Sequence, residues 1–405
     1  MEDLIKLVRK IFPLISLLAL FSCNELPTDV GFKLINDTIT VKVLSSDTLN
    51  LIYKTETLEK SPSVVNASIL FCGVANQTEA LSIIRFAFIP DTLSYLTEND
   101  IISAKFFIYP SRYALGDTNN ANFGFNVKKV ENYWSVNSNW DSVSVPGFFS
   151  RDVGNYSGAI QLKDTMNSVS LDLDKKLITE WLQLRPDTNA AVINWGIALI
   201  PNPNSNVIYS FGGEGVGNNT PTKIPLIQVI YKDKNSNLDT FYLYSALNAS
   251  FIKYPKPADD AILIQGGLDV RTNLYFDISQ IPKLASISKM ELELTLDKNK
   301  TILGNTTLKD VFRIDFVSDS LGAQGNYYYY ASKIDSNSYV YRCPSVTSAA
   351  ELWNRFDGKG KLQIRASDFT SQYQQLDKLV FYGLNDTDPS KRPKVKIIYT
   401  MQSKK

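Results

Sequence analysis

Two runs of aromatic residues carry the clearest chemical potential in this chain. Trp134 and Trp140 stand in the polar stretch Trp134-Ser-Val-Asn-Ser-Asn-Trp140, and Tyr327, Tyr328, Tyr329 and Tyr330 follow directly on Gly325-Asn326. When exposed, such rings lie against the apolar faces of pyranose sugars, while amides, carboxylates or basic groups reach the hydroxyls. Arg85 and Lys105 are cations of the right type to address a carboxylated sugar. Each feature also has a plainer explanation. Both tryptophans could plug a core from a loop, and both cations could sit at strand edges with their stems over apolar surface. In a strand, side chains alternate between faces, so two of the four tyrosines point each way and one pair meets solvent or a ligand. Trp181, Trp195 and Trp353 are flanked by apolar residues and read as core packing.

Other chemistries are excluded by composition. The chain has no histidine among its 405 residues, which removes Ser-His-Asp and Cys-His catalysis, His-ligated zinc and an imidazole pH switch. Its 3 cysteines cannot build a four-thiolate metal site or an iron–sulfur cluster. The enzyme class left open is a His-free glycosidase working with two carboxylates. No carboxylate motif is common to the two halves of the chain, and there is no Gly-rich phosphate loop. The clusters Asp117-Thr118-Asn119-Asn120 and Asn385-Asp386-Thr387-Asp388 could supply oxygen ligands to a structural calcium. Neither has the spacing of an EF-hand, and solvated loops account for both, so no metal or cofactor is expected. The balance of 42 basic against 41 acidic residues gives a net charge of +1, which offers nothing to steer a nucleic acid or another polyanion.

The N-terminus points to export. Lys6, Arg9 and Lys10 precede an apolar run from Ile11 to Phe21 that ends at Ser22-Cys23. As a helix the run would be about 16 Å long, roughly half a bilayer core, so it does not read as a membrane span. It reads as a secretory leader. A Cys directly after a small residue at the end of such a run resembles the lipobox of bacterial lipoproteins, which implies a leader over 1–22 and a lipidated Cys23 as the new N-terminus. Two or three acyl chains would anchor the protein stably without a spanning helix. Asn24 after the Cys implies, by the same resemblance, the outer membrane of a double-membraned bacterium. Cys72 and Cys343 lie far apart and are expected as buried free thiols.

The elements that must position the aromatic runs are strands. Beyond a tether over 23–36, period-two apolar segments alternate with Asn, Asp, Ser and Gly clusters, as in Thr38 to Leu44, Ser103 to Tyr109, Lys289 to Leu296 and Lys394 to Thr400. Asp174 to Leu184 and Ala349 to Phe356 are the best short helices. Four blocks recur in the same order. Asp37-Thr38-Ile39-Thr40-Val41 matches Asp239-Thr240-Phe241-Tyr242-Leu243, and Arg85-Phe86-Ala87-Phe88 with Ile89-Pro90 matches Tyr275-Phe276-Asp277-Ile278 with Ile281-Pro282. Ala104, Phe106 and Ile108 match Met290, Leu292 and Leu294, and Pro225 to Tyr231 matches Pro393 to Tyr399. Two homologous all-β domains follow, 37–235 and 236–405, each most economically a jelly-roll-like sandwich.

These blocks resemble the DNRLRE domain, also classed as carbohydrate-binding module family 96. The first half carries Arg85-Phe86-Ala87-Phe88, Ile89-Pro90, Ser103 to Ile108, Trp134 and Trp140, Asp172 through Trp181, and Ile224 to Tyr231. The second keeps Phe276-Asp277-Ile278, Ile281-Pro282, Asp368 through Tyr373 and Arg392-Pro393, without the paired tryptophans. Ala87 and Tyr275 depart from the pattern. The resemblance implies a non-catalytic glycan-binding sandwich, with some family members associated with alginate-type acidic polysaccharide. The reading reached is a surface lipoprotein that binds extracellular polysaccharide and touches the membrane only through its anchor. The competing class is a structural or adhesive surface protein whose sandwiches bind protein partners.

Overall fold

The computed structural model describes residues 38–403 apart from 61–63, 66–68, 136, 163–167, 185–193, 214–223, 257–260, 306–310, 318–323 and 368–373. The leader, Cys23, the tether and the segment Asp368 to Tyr373 lie outside the described residues. In chain order the strands are β1 (Thr38–Ser45), β2 (Ile52–Glu59), β3 (Val64–Val65), β4 (Ile69–Ala75), β5 (Thr78–Ala87), β6 (Ile101–Ile108), β7 (Pro110–Gly116) and β8 (Gly124–Val130). There follow β9 (Phe149–Ser157), β10 (Val169–Asp172), β11 (Ile197–Pro201), β12 (Val207–Gly212), β13 (Leu226–Lys232), β14 (Leu238–Lys253), β15 (Ile262–Gln265) and β16 (Val270–Asp277). The last are β17 (Ser286–Thr295), β18 (Val311–Val317), β19 (Gln324–Lys333), β20 (Val340–Cys343), β21 (Lys359–Ala366), β22 (Lys378–Phe381) and β23 (Lys394–Ser403). Among the described residues three short α-helices interrupt them, α1 (Trp140–Val143), α2 (Lys175–Gln183) and α3 (Thr347–Arg355).

The strands form where apolar residues alternate. In β17, Met290, Leu292 and Leu294 are buried while Lys289, Glu291 and Glu293 point outward. A register shift between Ile287 and Lys289 brings Ile287 onto the buried face as well, an extra residue absorbed as a bulge. Helix α2 starts at Asp174, whose carboxylate accepts from the Lys176 amide, and it buries Leu177, Ile178, Trp181 and Leu182 along one stripe.

Among the described residues every strand pairing is antiparallel, and two β-sandwiches result. In the first, β10, β6, β13 and the N-terminal half of β14 face the sheet made by the C-terminal half of β14 with β5, β11, β8 and β9. Phe86, Phe106, Phe125, Trp181 and Val229 fill the space between. In the second, β1, β23, β17 and β20 face β19, β18, β21, β16 and β2 around Phe276, Met290, Phe312, Tyr341 and Trp353.

The repeat boundary at 235/236 is crossed in both directions. Strands β1 and β2 come from the first repeat, yet β1 pairs with the last strand, β23, and β2 pairs with β16. Strand β14 opens the second repeat, yet its first half pairs with β13 and its second half with β5. The two exchanges are equivalent, because β13 and β23 close the two repeats and β5 and β16 carry their matching Phe86 and Phe276 blocks. Each sandwich is therefore completed by strands from the other repeat, which corrects the expected division into 37–235 and 236–405. Self-similarity identifies homologous segments; it does not say which copy they pair with.

A third apolar cluster joins the sandwiches. Phe71, Tyr113, Leu115 and Ile208 from the first pack against Leu263, Leu268, Val270, Leu376 and Val380 from the second. The Tyr113 hydroxyl donates to Asp377 Oδ1 at 2.8 Å and accepts from the Leu376 amide at 2.9 Å, and the same Oδ1 accepts from the Gly304 amide at 2.7 Å. A Cβ at Gly304 would stand 2.4 Å from the Tyr113 ring, so glycine is required for this approach. Asn305 adds a two-way clasp, its Oδ1 accepting from the Ala114 amide and its Nδ2 donating to the Arg112 carbonyl, each at 2.9 Å. Burial and the neighbouring Asp377 carboxylate hold the Tyr113 phenol well above its ordinary pKa, so it stays a donor. Cys72 and Cys343 are free, and they sit in the separate cores of the two sandwiches.

Two outcomes follow from the exchange and the clasp. Segments 24–235 and 236–405 produced separately will each lack a strand beside a core and show no cooperative urea transition, whereas co-expression will yield a folded complex. Tyr113→Phe strands the Leu376 amide and removes a hydrogen bond from Asp377, and should lower urea stability by about 1–3 kcal/mol.

Candidate functional site

The structure separates the aromatic candidates. Trp134 is 1% exposed and its indole N–H donates to the Trp195 carbonyl at 2.8 Å. It packs with Phe148, Val143 and Phe251 over the outer face of the β5 sheet, so the expectation that it offers a sugar-stacking ring is corrected: an apolar sheet face needed covering. Trp140 leans half-buried on the same cluster, with the Lys253 ammonium 5.8 Å from its ring centre. The Arg85 guanidinium lies 5.9 Å from the Trp195 ring centre, a covering role in place of a free cation. Lys105 is half exposed, 3.9 Å from Asp172.

The tyrosine run keeps two faces, as alternation requires. Tyr329 turns toward the second core and its hydroxyl bonds Ser348 at 2.6 Å. Tyr327 shares that side of the strand but is exposed, edge-on to Phe316. Tyr328 and Tyr330 point outward, both about half exposed, with ring centres 5.6 Å apart.

Cross-strand register places these outward rings at one end of a polar row. Tyr328 stands opposite Asp315, Asp315 opposite Gln363, Gln363 opposite Asn273, and Asn273 opposite Glu56. Four inter-strand steps of about 4.8 Å make the row roughly 19 Å long. The Arg313 guanidinium lies 4.3 Å from the Tyr328 ring centre and donates to Asp315 at 2.5 Å, while Arg365 donates to the other Asp315 oxygen at 2.7 Å. Gln363 donates to Asn273 at 2.9 Å and accepts from Arg271 at 3.0 Å. At the far end Tyr275 donates to Glu56, its ring is tilted 54° against that of Tyr53, and the Lys54 and Lys361 ammonium groups lie 4.9 and 5.7 Å from its ring centre. The face is thus tyrosine at both ends, with guanidinium, carboxylate and amide groups between. The Tyr275 and Asn273 hydrogen bonds, then Lys54 and Lys361, hold the Glu56 carboxyl below its ordinary pKa.

The equivalent row of the first sandwich is built differently. There the register runs Ala249, Ile83, Ala198, Lys128, Asp152. The three small or apolar positions are buried under the Trp134 cluster. One scaffold therefore presents an apolar face that its own loop covers, and a polar face edged by exposed rings. The second face was legible only in part, since its tyrosines are consecutive but Arg313, Asp315, Gln363, Asn273 and Glu56 are scattered over four strands.

A smaller aromatic strip escaped the sequence reading. Tyr242 and Tyr244 sit on one face of β14, both exposed, their ring planes within 27° of each other and centres 6.3 Å apart. Gln228 donates to the Tyr242 hydroxyl at 3.1 Å, and Lys105 lies opposite Gln228 on β6. Period-two placement of the two tyrosines was the available signal.

The loop carboxylates weighed as calcium ligands serve their own loops. Asp117 accepts from the Asn119 and Asn120 amides, each at 3.0 Å, and Asp388 caps the turn at Ser390. Among the described residues no group of three or more metal-ligating side chains is placed to hold an ion, and no helix is long and apolar enough to cross a membrane.

Two measurements check these placements. Trp134→Ala should cost about 3–5 kcal/mol in denaturant stability, the range for emptying a buried Trp site. Tyr275→Phe should raise the Glu56 pKa toward its ordinary value of 4.5 in a carboxyl NMR titration. Because the folded-state value is depressed, Glu56 stabilises the wild type above the ordinary carboxyl range and loses that contribution as pH falls through it, and the variant should show less of this acid dependence.

No family model matches the chain, and no curated protein is similar to it. Several solved structures are weakly similar to it, among them the following three. A protein of Parabacteroides distasonis inferred to be secreted is 9% identical, with 90% of this chain and 89% of that chain covered at a TM-score of 0.18. The Macrobrachium rosenbergii nodavirus structure is 10% identical, 91% of each chain covered, at 0.13, and the infectious bursal disease virus VP2 subviral particle is 9% identical, 90% and 77% covered, at 0.15. Likeness at this level supports no statement about fold or function.

Proposed function

We propose that this chain is a non-catalytic, lipid-anchored protein of a bacterial outer membrane that binds extracellular polysaccharide on the tyrosine-edged face of its second sandwich. The observation behind this reading is the contrast between equivalent rows. Where the first sandwich has Ala249, Ile83 and Ala198 under a cover, the second has Glu56, Asn273 and Gln363 continued by Asp315 and Tyr328. A sheet face carrying rings for sugar stacking, with amides and charges to reach hydroxyls, matches what a saccharide chain requires. The likeness of the sequence blocks to the DNRLRE domain points the same way, as do the leader and Cys23. Absence of histidine removes the commonest general base from any hydrolytic reading. The tether would join β1, which belongs to the second sandwich, so the candidate face would lie on the membrane-linked half. From Asn24 to residue 37 the tether spans at most about 50 Å.

The adhesive or structural alternative has its own observation. Ile39, Val41 and Val43 are 72%, 62% and 54% exposed along β1, which among the described residues pairs on one side only. An apolar, unpaired edge of this kind is a template for another strand.

Residues 24–405 should therefore be tested against neutral and uronic acid polymers, with and without calcium. Saturable binding that weakens about tenfold when Tyr328 and Tyr330 both become Ala, with no change in melting temperature, supports the glycan reading. If the folded protein retains no polymer, and Val41→Lys removes self-association or capture of a partner, the adhesive reading replaces it.

A further inference from the structure

The turn that leads into β17 and the end of α3 form one corner of the second sandwich. Buried Asn354 ties them together, its Nδ2 donating to the Pro282 and Ala285 carbonyls at 3.2 and 3.5 Å. Gly358 holds φ +77°, and a Cβ there would stand 2.5 Å from the Ser279 Cα, so the chain after α3 is locked against the same loop. From this fixed corner project two pairs of a cation followed by an apolar residue, Lys283-Leu284 and Arg355-Phe356. Leu284 is 98% exposed and Phe356 65%. Neither Lys283 nor Arg355 forms an ion pair among the described residues. Of the carboxylates beside them, Asp277 lies 3.9 Å from the Lys359 ammonium and Asp357 accepts from the Lys359 amide at 3.0 Å.

The same positions of the first repeat are filled differently. Ile281-Pro282 matches Ile89-Pro90, which sets Asp91-Thr92 where the second repeat has Lys283-Leu284. Trp181 and Trp353 hold the same position in α2 and α3, which sets Gln183-Leu184 where the second repeat has Arg355-Phe356. Leu184 packs on the first core, whereas Phe356 stands in solvent. Both changes put a cation and an exposed apolar side chain on the second sandwich alone. That sandwich is the one the N-terminal segment enters, and it enters at this corner. Leu284 is two residues before Ser286, which stands opposite Thr400, and Thr400 stands opposite Val41 near the start of β1. Two inter-strand steps of about 4.8 Å therefore separate the turn from the strand that follows Cys23 and the tether. Lys404 and Lys405 follow β23 directly in the sequence and add two cations beside the same strand ends.

We infer that this corner docks on the lipid bilayer, with Leu284 and Phe356 entering the boundary between headgroups and acyl chains and Lys283 and Arg355 reaching lipid phosphates. The inference rests on the lipid-anchor reading for the side from which the membrane approaches, and it extends the expected contact from the anchor to a face of the protein. Exposed apolar residues scattered singly need no explanation. Two on rigid neighbouring turns, each beside an unpaired cation and both missing from the other repeat, fit a surface with an apolar interior and an anionic outer layer. Docking would also orient the sandwich, which a flexible tether by itself leaves free to swivel.

The test holds residues 24–405 on vesicles through a histidine tag before Asn24 and a nickel-chelating lipid, which stand in for the acyl chains. Cys72 and Cys343 are buried, so an environment-sensitive fluorophore can be placed on an introduced surface cysteine. On vesicles of phosphatidylcholine mixed with phosphatidylglycerol, the probe at Leu284→Cys should shift to the blue, and the probe at Thr92→Cys, the matching turn of the first repeat, should not. Without the tag, the wild type should sediment with these vesicles about tenfold more tightly than a variant carrying Leu284→Ser and Phe356→Ser. The melting temperature of that variant should equal the wild type's, since both side chains already stand in solvent. Lys283→Gln with Arg355→Gln should weaken binding to the mixed vesicles and leave binding to phosphatidylcholine alone unchanged. No shift at position 284, an equal shift at position 92, or undiminished sedimentation of the Leu284 and Phe356 variant would each overturn the assignment. Acyl labelling of the full chain separates this result from the anchor reading. An unmodified Cys23 with a shifted probe at 284 removes the anchor and keeps the docking corner, and a modified Cys23 with an unshifted probe does the reverse.

Discussion

Antiparallel pairing of β1 with β23 joins the beginning of the described chain to its end, and most other features of the molecule depend on it. With β1 and β2 committed to the second sandwich, β14 must complete the first, and neither core is closed by its own repeat. The two sandwiches are thus covalently and topologically interlocked before any side chain at their interface is considered. The Tyr113, Asp377 and Gly304 contacts then fix the angle between them, because a buried phenol with a carboxylate acceptor and an amide donor tolerates little displacement.

That rigidity gives the cleft between the sandwiches a fixed shape. Residues of both repeats line the cleft between the sandwiches, and those walls would drift apart if the halves were tethered beads. The same exchange brings Glu56, from the first repeat, to the end of a row whose other members belong to the second. The candidate face is therefore a product of the whole chain and of neither half alone.

Divergence between the repeats shows how a shared scaffold acquires distinct faces. On the outer side of one sheet, replacement of Ala249, Ile83 and Ala198 by Glu56, Asn273 and Gln363 changes whether that face needs a cover. The first sandwich spends Trp134, Phe148 and α1 on covering it. The second has no corresponding apolar positions to bury, so its face is organised by mutual hydrogen bonds and guanidinium–carboxylate pairs.

The sequence by itself determined the class of structure: period-two patterns place Met290, Leu292 and Leu294 inward, and composition removes imidazole chemistry and four-thiolate metal sites. It also marked the tyrosine run, whose alternation follows from backbone geometry alone, and the repeat, whose blocks recur in order. What it could not determine were the quantities set by long-range pairing. Trp134 and Tyr328 both stand in polar, turn-rich surroundings, yet one is buried and the other exposed because the sheet face beneath Trp134 is apolar. Likewise the repeat boundary is visible in the chain, but the partner of β1 is chosen by which edge lies free at β23. Tertiary structure decided these points because burial and strand pairing depend on what arrives from hundreds of residues away, and local patterns carry no record of it.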